Sequence, residues 1–481
     1  MSQTPLQSAK DHWSAGRNAA ALAEAWRAFD ANPDGFEERK LVAHILRDVG
    51  EPGDSGHGEA LRALAMDRDI DPSHVSAAGW RHLSSEIALV TDDAAALAPK
   101  LEDSALALTL LNEDIVAEHH AEQALTRVRR WLLTERHWTD FPRLAAALIA
   151  QAAMNGGAWP FDEAERALLG ASGDFARAYL PERDTLGGAG YEDPVTRAVA
   201  DQYEGWPYPQ WRRITRPKPG SLAAEVRRLD PEGPETIPAN GAQILIAGCG
   251  TGRQVVLSVG RYPGDRITAI DISQASLRYA ERRGAEAGVT GVDYQVLDLH
   301  DAAKLGRSFD AVFCTGVLHH LPDPEAGWAA LAGVLRPGGV MHVMVYSKIS
   351  RMRVKALRQS LRDLEGQSMS DDLLREARRR IALRTAGRPE RSTDFYSLAG
   401  THDLLMHRHE DPFDVPRVRA ALDRLGLRLI HFEIPRNALK AAYHEEHPDD
   451  PLQRDFDAWA KLERGNPGLY SKMYDLWCRK P

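Results

Sequence analysis

The sequence predicts two structural parts: an all-helical amino-terminal domain, and a doubly wound α/β domain whose seven-stranded parallel sheet is covered by helices on both faces. Three observations predict this. Up to about Phe175, apolar residues recur at three- and four-residue steps, as in Leu22, Ala25, Trp26 and Phe29, or Leu108, Leu111 and Ile115. From Ala242 onward, short apolar runs alternate with amphipathic stretches, as strands buried on both faces require. Between Leu180 and Asn240, prolines and glycines become frequent where one pattern hands over to the other.

These observations divide the chain into a helical domain over 1–178, a connector over 179–240 and an α/β domain over 241–481 with a helical insertion at 348–391. In the first part, 23–30 and 59–66 each precede an Asn/Asp-Pro stop, Asn32-Pro33 and Asp71-Pro72. They read as second helices of two degenerate hairpin repeats of tetratricopeptide type, or as members of a generic helical bundle. The connector carries Tyr203-Glu204-Gly205-Trp206-Pro207-Tyr208-Pro209-Gln210-Trp211. Its aromatics make either a clamp that packs the domains together or a lid over a ligand, and Tyr203, Tyr208 and Trp211 are the candidates for touching substrate. Strands are expected near Gln243–Ala247, Arg266–Ile270, Val292–Leu297, Asp310–Thr315, Val340–Tyr346, Leu427–Ile434 and Tyr470–Cys478. Helices are expected over Ser273–Ala287, Asp323–Leu335 and Val415–Leu425.

Bulk properties exclude several classes. The 481 residues exceed what one core supports, and 43% hydrophobic with 27% charged residues is a globular composition. A net charge of −9 gives no general attraction for phosphate backbones, which disfavours a nucleic-acid partner. The start lacks a signal-peptide pattern, and no apolar stretch is long enough to span a bilayer, so the expected location is cytoplasmic, without membrane association. Cys249, Cys314 and Cys478 are too few for a disulfide scaffold and lack zinc spacing.

The strand ending Ile244-Leu245-Ile246-Ala247 runs directly into Gly248-Cys249-Gly250-Thr251-Gly252 and then into a helix. Glycine suits a sharp turn whose backbone approaches a ligand, and the helix end offers free N–H groups. A nicotinamide fingerprint would place its third glycine at 253, where Arg253 stands. Asp271 ends the second strand, where a carboxylate can accept from both hydroxyls of a ribose, and Asp298 ends the third, facing an adenine amino group. Together these residues describe an adenosine without a pyrophosphate.

The segments Ile246–Gly252, Asp271-Ile272-Ser273, Asp298-Leu299-His300 and Leu335-Arg336-Pro337-Gly338-Gly339 resemble the successive motifs of class I S-adenosylmethionine-dependent methyltransferases, over about 240 to 346. The resemblance implies a Rossmann-like domain with S-adenosyl-L-methionine as cofactor. It implies that Gly248, Gly250 and Gly252, with Ala247 and Cys249 in the same turn, line the methionine part. Asp271 and Ile272 would meet the ribose, Asp298 and Leu299 the adenine, and Thr315 and Gly316 the sulfonium end. Further segments, Gln202-Tyr203-Glu204 with Pro207-Tyr208-Pro209-Gln210-Trp211, Asp403–His407 and Met473–Cys478, resemble a bacterial group in which a helical, often tetratricopeptide-bearing region precedes such a domain.

Methyl transfer from a sulfonium needs alignment and exclusion of water more than activation of the leaving group. Where the acceptor must lose a proton, His319 and His320, after the fourth strand, are the candidate catalytic residues, against a plainer reading as packing or capping side chains. The Asn/Asp-Pro-Pro-Tyr/Phe signature of amide and exocyclic-amine methylation is absent after that strand. Between Lys348 and Arg391 stand thirteen basic residues against six acidic ones, densest at Arg378-Arg379-Arg380, so Arg378 is expected to help dock an acidic acceptor at the rim, against a plain solvated face. His407 is expected as a rim residue on the acceptor side, and no metal is predicted from the His402–Glu410 cluster because its spacing matches no zinc arrangement.

The expected function is therefore methyl transfer to a small molecule or to a protein or peptide, the helical domain serving as recognition platform or homo-oligomer surface. The alternatives are a cofactor-binding scaffold or sensor working through its helices, and an RNA methyltransferase.

Overall fold

The computed structural model describes residues 3–49, 56–170, 190–215, 217–385, 393–434, 437–466 and 473–481. It forms two compact units: one of Met1–Arg183, Gln210–Thr215 and Ser360–Met406, the other of Asp184–Pro209, Arg216–Gln359 and His407–Pro481. The linear division expected above differs from this in two places. Residues 210–215 of the connector belong with the helical unit, as do 360–385 of the insertion and 393–406 beyond it, whereas 190–209 of the connector belong with the sheet. The part of the connector at 179–189 lies outside the described residues.

The helical unit begins with the helices Pro5–Ser14, Asn18–Ala31 and Phe36–Val49 and continues through Gly58–Met66, Ser73–Glu86, Ala94–Asp103, Ala105–Glu113, His119–Thr134 and Pro142–Asn155. Side-chain oxygens of Thr4, Asp93, Ser104 and Glu118 accept the N–H groups that first turns leave unpaired. One apolar stripe per helix then closes on a shared core that includes Trp26, Phe29, Trp80, Leu110 and Trp159. The 23–30 and 59–66 segments lie in the helices Asn18–Ala31 and Gly58–Met66.

Two buried ion pairs are built into this unit. Arg129 and Glu165 pair at 2.8 Å with neither side chain exposed. Arg378, on the helix Asp371–Arg384, is buried as well: it meets both carboxylate oxygens of Glu122 at 2.9 and 2.7 Å and donates to the carbonyls of Phe395 and Ala158. The expectation that Arg378 presents a cation to an acceptor is thereby corrected. Its guanidinium is spent on internal partners, because a buried charge needs them. Arg379 and Arg380 pair with Glu376, and Arg380 also with Asp363.

The second unit is a seven-stranded sheet of β1 (Gln243–Ala247), β2 (Arg266–Asp271), β3 (Asp293–Val296), β4 (Phe309–Thr315), β5 (Leu335–Tyr346), β6 (Arg428–Phe432) and β7 (Met473–Arg479), in the order β3-β2-β1-β4-β5-β7-β6. Strands β1 to β5 pair in parallel, and β7 is antiparallel to both β5 and β6, so the sheet is mixed where the sequence suggested a parallel one. Alternate side chains feed two cores: Ile244 and Ile246 pack on one face with Phe313 and Trp477, and Leu245 and Ala247 on the other with Cys314 and Trp328. The sheet is therefore covered on both faces, and the reversal of strand order beside β1 opens a crevice at the strands' carboxyl ends.

Asp230, which precedes β1, has a fully buried side chain that accepts from Arg428 of β6, Arg454 and Arg479 of β7 at 2.6, 3.1 and 2.8 Å. Burial alone would raise its carboxyl, but the guanidinium partners overcome it and hold it below the usual range. Removing one member of such a buried network leaves the other charges uncompensated. Asp230→Ala is therefore expected to destabilise the protein by about 3–5 kcal/mol, read as a lowered urea midpoint. A midpoint within error of the parent would show that the network adds nothing.

Candidate cofactor and acceptor site

The turn after β1 closes through backbone groups. The N–H groups of Gly248 and Cys249 both donate to the carbonyl of Ile270, at 2.8 and 3.0 Å, and Gly250 N–H donates to Asp271 Oδ2 at 2.7 Å. Three glycines in the turn are required by geometry: at Gly248, with φ +69°, a Cβ would stand 2.4 Å from Cγ2 of Val317. Gly250 has φ +51°, and a Cβ there would stand 2.9 Å from the carbonyl oxygen of Tyr208. Gly252 has φ +83°, and its Cβ would stand 2.7 Å from Cβ of Ala280, on the helix Gln274–Glu286. The space that a Cβ would need is thus already filled by the surrounding chain, and the helix Arg253–Arg261 starts directly behind the bend.

Asp271 ends β2 with its carboxylate buried, accepting from Gly250 N–H and, at 2.9 Å, from Ser273 N–H. Burial dominates and pushes its pKa up to about 6, although these N–H bonds oppose the rise. Asp298 follows β3 and accepts from His300 N–H and Nδ1 at 2.9 and 2.8 Å through Oδ1. Burial would raise Asp298, but the His300 bonds prevail and its pKa is lowered. Oδ2 of Asp298 takes no hydrogen bond among the described residues. Ala247 and Cys249 are buried beneath the bend, Leu299 is buried beside Asp298, and Ile272, Thr315 and Gly316 are half-buried at the ends of β2 and β4. Every cofactor candidate therefore lies at the carboxyl ends of β1 to β4.

Residues of the connector reach the same end of the sheet. The Tyr208 carbonyl backs Gly250, Thr251 Oγ1 donates to the Pro209 carbonyl, and Tyr191 Oη donates to the Ile272 carbonyl at 3.0 Å. Sequence reasoning missed Tyr191 and these backbone contacts, which have no local signature.

Beyond the carboxyl ends of β4 and β5, the structure brings together His319, His320, His407 and Tyr203. The His320 and His407 rings stack at 3.7 Å, His319 lies 3.8 Å from Tyr346, and Tyr203 Oη is 3.2 Å from His407 Nε2. His319 is fully buried. Its Nδ1 accepts from Tyr346 N–H, so Nε2 carries the hydrogen, without a partner among the described residues. Burial holds this ring well below its ordinary pKa, and its basic lone pair is already engaged. His320 has the opposite tautomer: Nδ1–H donates to the His409 carbonyl at 3.0 Å, which leaves the Nε2 lone pair open. Arg351 and Arg358, unforeseen from sequence, pair with Glu410, and Arg351 also lies over the Tyr346 ring at 4.2 Å. Trp211 and Arg378 fall in the helical unit.

The sheet order and the glycine bend with its strand-tip carboxylates support the reading of this unit as a class I S-adenosylmethionine-dependent methyltransferase domain. Residues 244–339 match the family described as methyltransferase domain. The chain is 36% identical over 192 residues to an uncharacterized protein of Synechococcus sp., covering 38% of this chain and 45% of that one. Over 109 residues it is 39% identical to the ubiquinone biosynthesis O-methyltransferase of Xanthomonas axonopodis pv. citri, covering 22% of this chain and 44% of the relative. The chain thus spans less than half the length of these curated relatives. Among solved structures, PKMT2 from Rickettsia typhi is similar with a TM-score of 0.41 and 13% identity, over 55% of this chain and 54% of that one.

Two outcomes are expected from this geometry. Gly250→Val adds a branched side chain at a positive φ against the Tyr208 carbonyl, so affinity for S-adenosylhomocysteine should fall at least about tenfold, which corresponds to about 1.4 kcal/mol; calorimetry giving the parental affinity would contradict the assigned role of the bend. Burial, the largest influence, holds His320 at about 3 against an ordinary 6.5. Because the unfolded chain binds a proton that the native ring refuses, stability is full above about pH 6.5 and falls as pH drops toward 3. Between pH 7.5 and 5.5 this one ring accounts for about 1 kcal/mol of lost stability. In urea titrations, His320→Asn should reduce that loss by the same amount.

Proposed function

We propose that this protein transfers a methyl group from S-adenosylmethionine to the oxygen or nitrogen of a small-molecule or protein acceptor. The observation that carries the reading is the glycine bend at Gly248–Gly252 joined to Asp271, with Asp298 at the next strand tip. Bound S-adenosylmethionine supplies a methyl group on a positively charged sulfur, which leaves as a neutral thioether. The fit rests on what this chain offers. The bend gives backbone surface for the aminoacid part, and Asp271, ionised above about pH 6, accepts from ribose hydroxyls. The unbonded Oδ2 of Asp298 accepts from the adenine amino group. Thr315 and Gly316, ending β4, border the reacting end.

At the acceptor end, His320 is the side chain suited to receive a hydrogen bond from an O–H or N–H acceptor, since its Nε2 carries a lone pair. It orients the acceptor by accepting its hydrogen bond; with a pKa of about 3 it does not retain the proton, which the methylated acceptor releases to solvent. His319 acts as a fixed neutral donor beside it, and Tyr203 and His407 border the same cluster. The ubiquinone O-methyltransferase relatives favour a small hydroxyl-bearing acceptor, although the shared stretch is confined to one region of the chain.

Purified protein incubated with methyl-labelled S-adenosylmethionine and separate small-molecule, protein and RNA fractions of a cell extract should label the small-molecule or the protein fraction. Asp271→Asn should abolish most of that labelling. Label confined to RNA, or no label above the Asp271→Asn background in any fraction, would refute the reading.

A further inference from the structure

The conspicuous connector motif beginning Tyr203-Glu204 is only partly absorbed by the reading above: Tyr203 borders the acceptor cluster, but Glu204 has no part in it. Glu204 lies on the helix Pro194–Gly205 and is almost fully buried, at 6% exposure. Its carboxylate accepts from the N–H groups of Gln274 and Ala275, the first two residues of the helix after β2; Ala275 N is 3.3 and 3.2 Å from its two oxygens. Ser273 already caps that helix through its own side chain, which accepts from Ser276 N–H at 3.0 Å. Glu204 therefore adds a second, buried cap from a remote segment at the turn that presents Asp271. Neighbouring Tyr191 holds the intervening Ile272 carbonyl. A buried carboxylate without a cationic partner is costly, and it is tolerated here by the N–H groups and positive end of the helix.

We propose that Glu204, which lies upstream of the methyltransferase motifs, is a positioning residue for the ribose-binding carboxylate: it fixes the turn Asp271–Ser273 and keeps Asp271 aimed at the cofactor. This rests on the reading of the crevice as a cofactor site. Glu204 and Asp271 repel each other, which contributes to the raised pKa of Asp271 after burial itself. Also facing Asp271 are Cys249 from the bend and Tyr191 from the preceding segment, and Tyr191 faces Asp298 as well.

The test is calorimetry with S-adenosylhomocysteine on the full chain between pH 5 and 8. Parental affinity should fall as pH drops through about 6, and Asp271→Asn should flatten that component. Glu204→Gln, which keeps the shape but loses the charge, should weaken binding about tenfold at pH 7.5 and move the acid midpoint about half a pH unit lower. Glu204→Asp should restore most of the affinity and the parental midpoint. Parental affinity in Glu204→Gln, or weaker binding with an unmoved midpoint, overturns the positioning role. Should Glu204→Gln fail to fold, Gln274→Pro decides instead. Proline suits the first helical position and removes the N–H that Glu204 accepts; several-fold weaker binding supports the proposal and parental binding overturns it. Absence of binding by the parent protein would instead sink the cofactor reading itself.

Discussion

The bend at Gly248–Gly252 can exist only where three other parts of the sheet domain leave it room. A methyl group on Gly248 would strike Val317 beyond β4, one on Gly250 the Tyr208 carbonyl, and one on Gly252 Ala280 on the helix after β2. The N–H groups of Gly248, Cys249 and Gly250 are in turn consumed by Ile270 and Asp271. These neighbours are brought to the spot by strand register, since β1 aligns Ala247 with Ile270 of β2 and Ile246 with Phe313 of β4. A slip of one residue in either pairing would turn every side chain to the opposite face and dismantle the bend together with both cores. Sheet register and cofactor geometry are thus one constraint.

Buried polar groups then fix how the late elements join that sheet. Asp230 collects guanidinium groups from β6, β7 and the segment between them, and Glu463 accepts from Tyr474 of β7 and from Ser347 just past β5. Such contacts are poor evidence of large net stability, because desolvation offsets much of their attraction. They are demanding in geometry, however, and a hydrophobic surface alone would allow β7 several antiparallel registers. Burial also explains their cost if broken, since a lone Asp230 or Arg479 has no access to water.

Apolar runs located the strands to within a few residues, because a run buried on both faces of a sheet is a local property of the chain. β1 has its expected bounds. β5 begins at Leu335, five residues before the expected Val340, because Phe309 pairs with Leu335 before an irregularity in the ladder. The cofactor turn was legible for a similar reason, its glycines and carboxylates being contiguous with strand ends. Charge was not legible. Arg378 reads as part of a solvated basic run, yet its partner Glu122 lies 256 residues earlier, and no spacing rule reaches that far. The tautomers of His319 and His320 were equally hidden, since they are set by the backbone of Tyr346 and His409.

Desolvation acts on the two ends of the crevice with opposite consequences for charge. It raises Asp271 only to about 6, where the N–H groups around it still permit ionisation at neutral pH, and it drives His320 down to about 3, where the ring is neutral. Asp271 therefore carries a formal negative charge at neutral pH, and His319 and His320 carry none. Arg351 and Arg358, on the same side as those rings, are each paired with Glu410. In a poorly screened crevice, an unpaired cation near the methyl group would repel the sulfonium and disfavour its binding. On the function proposed above, an unprotonated His320 would spare the cofactor that repulsion and leave Nε2 able to take the acceptor's hydrogen.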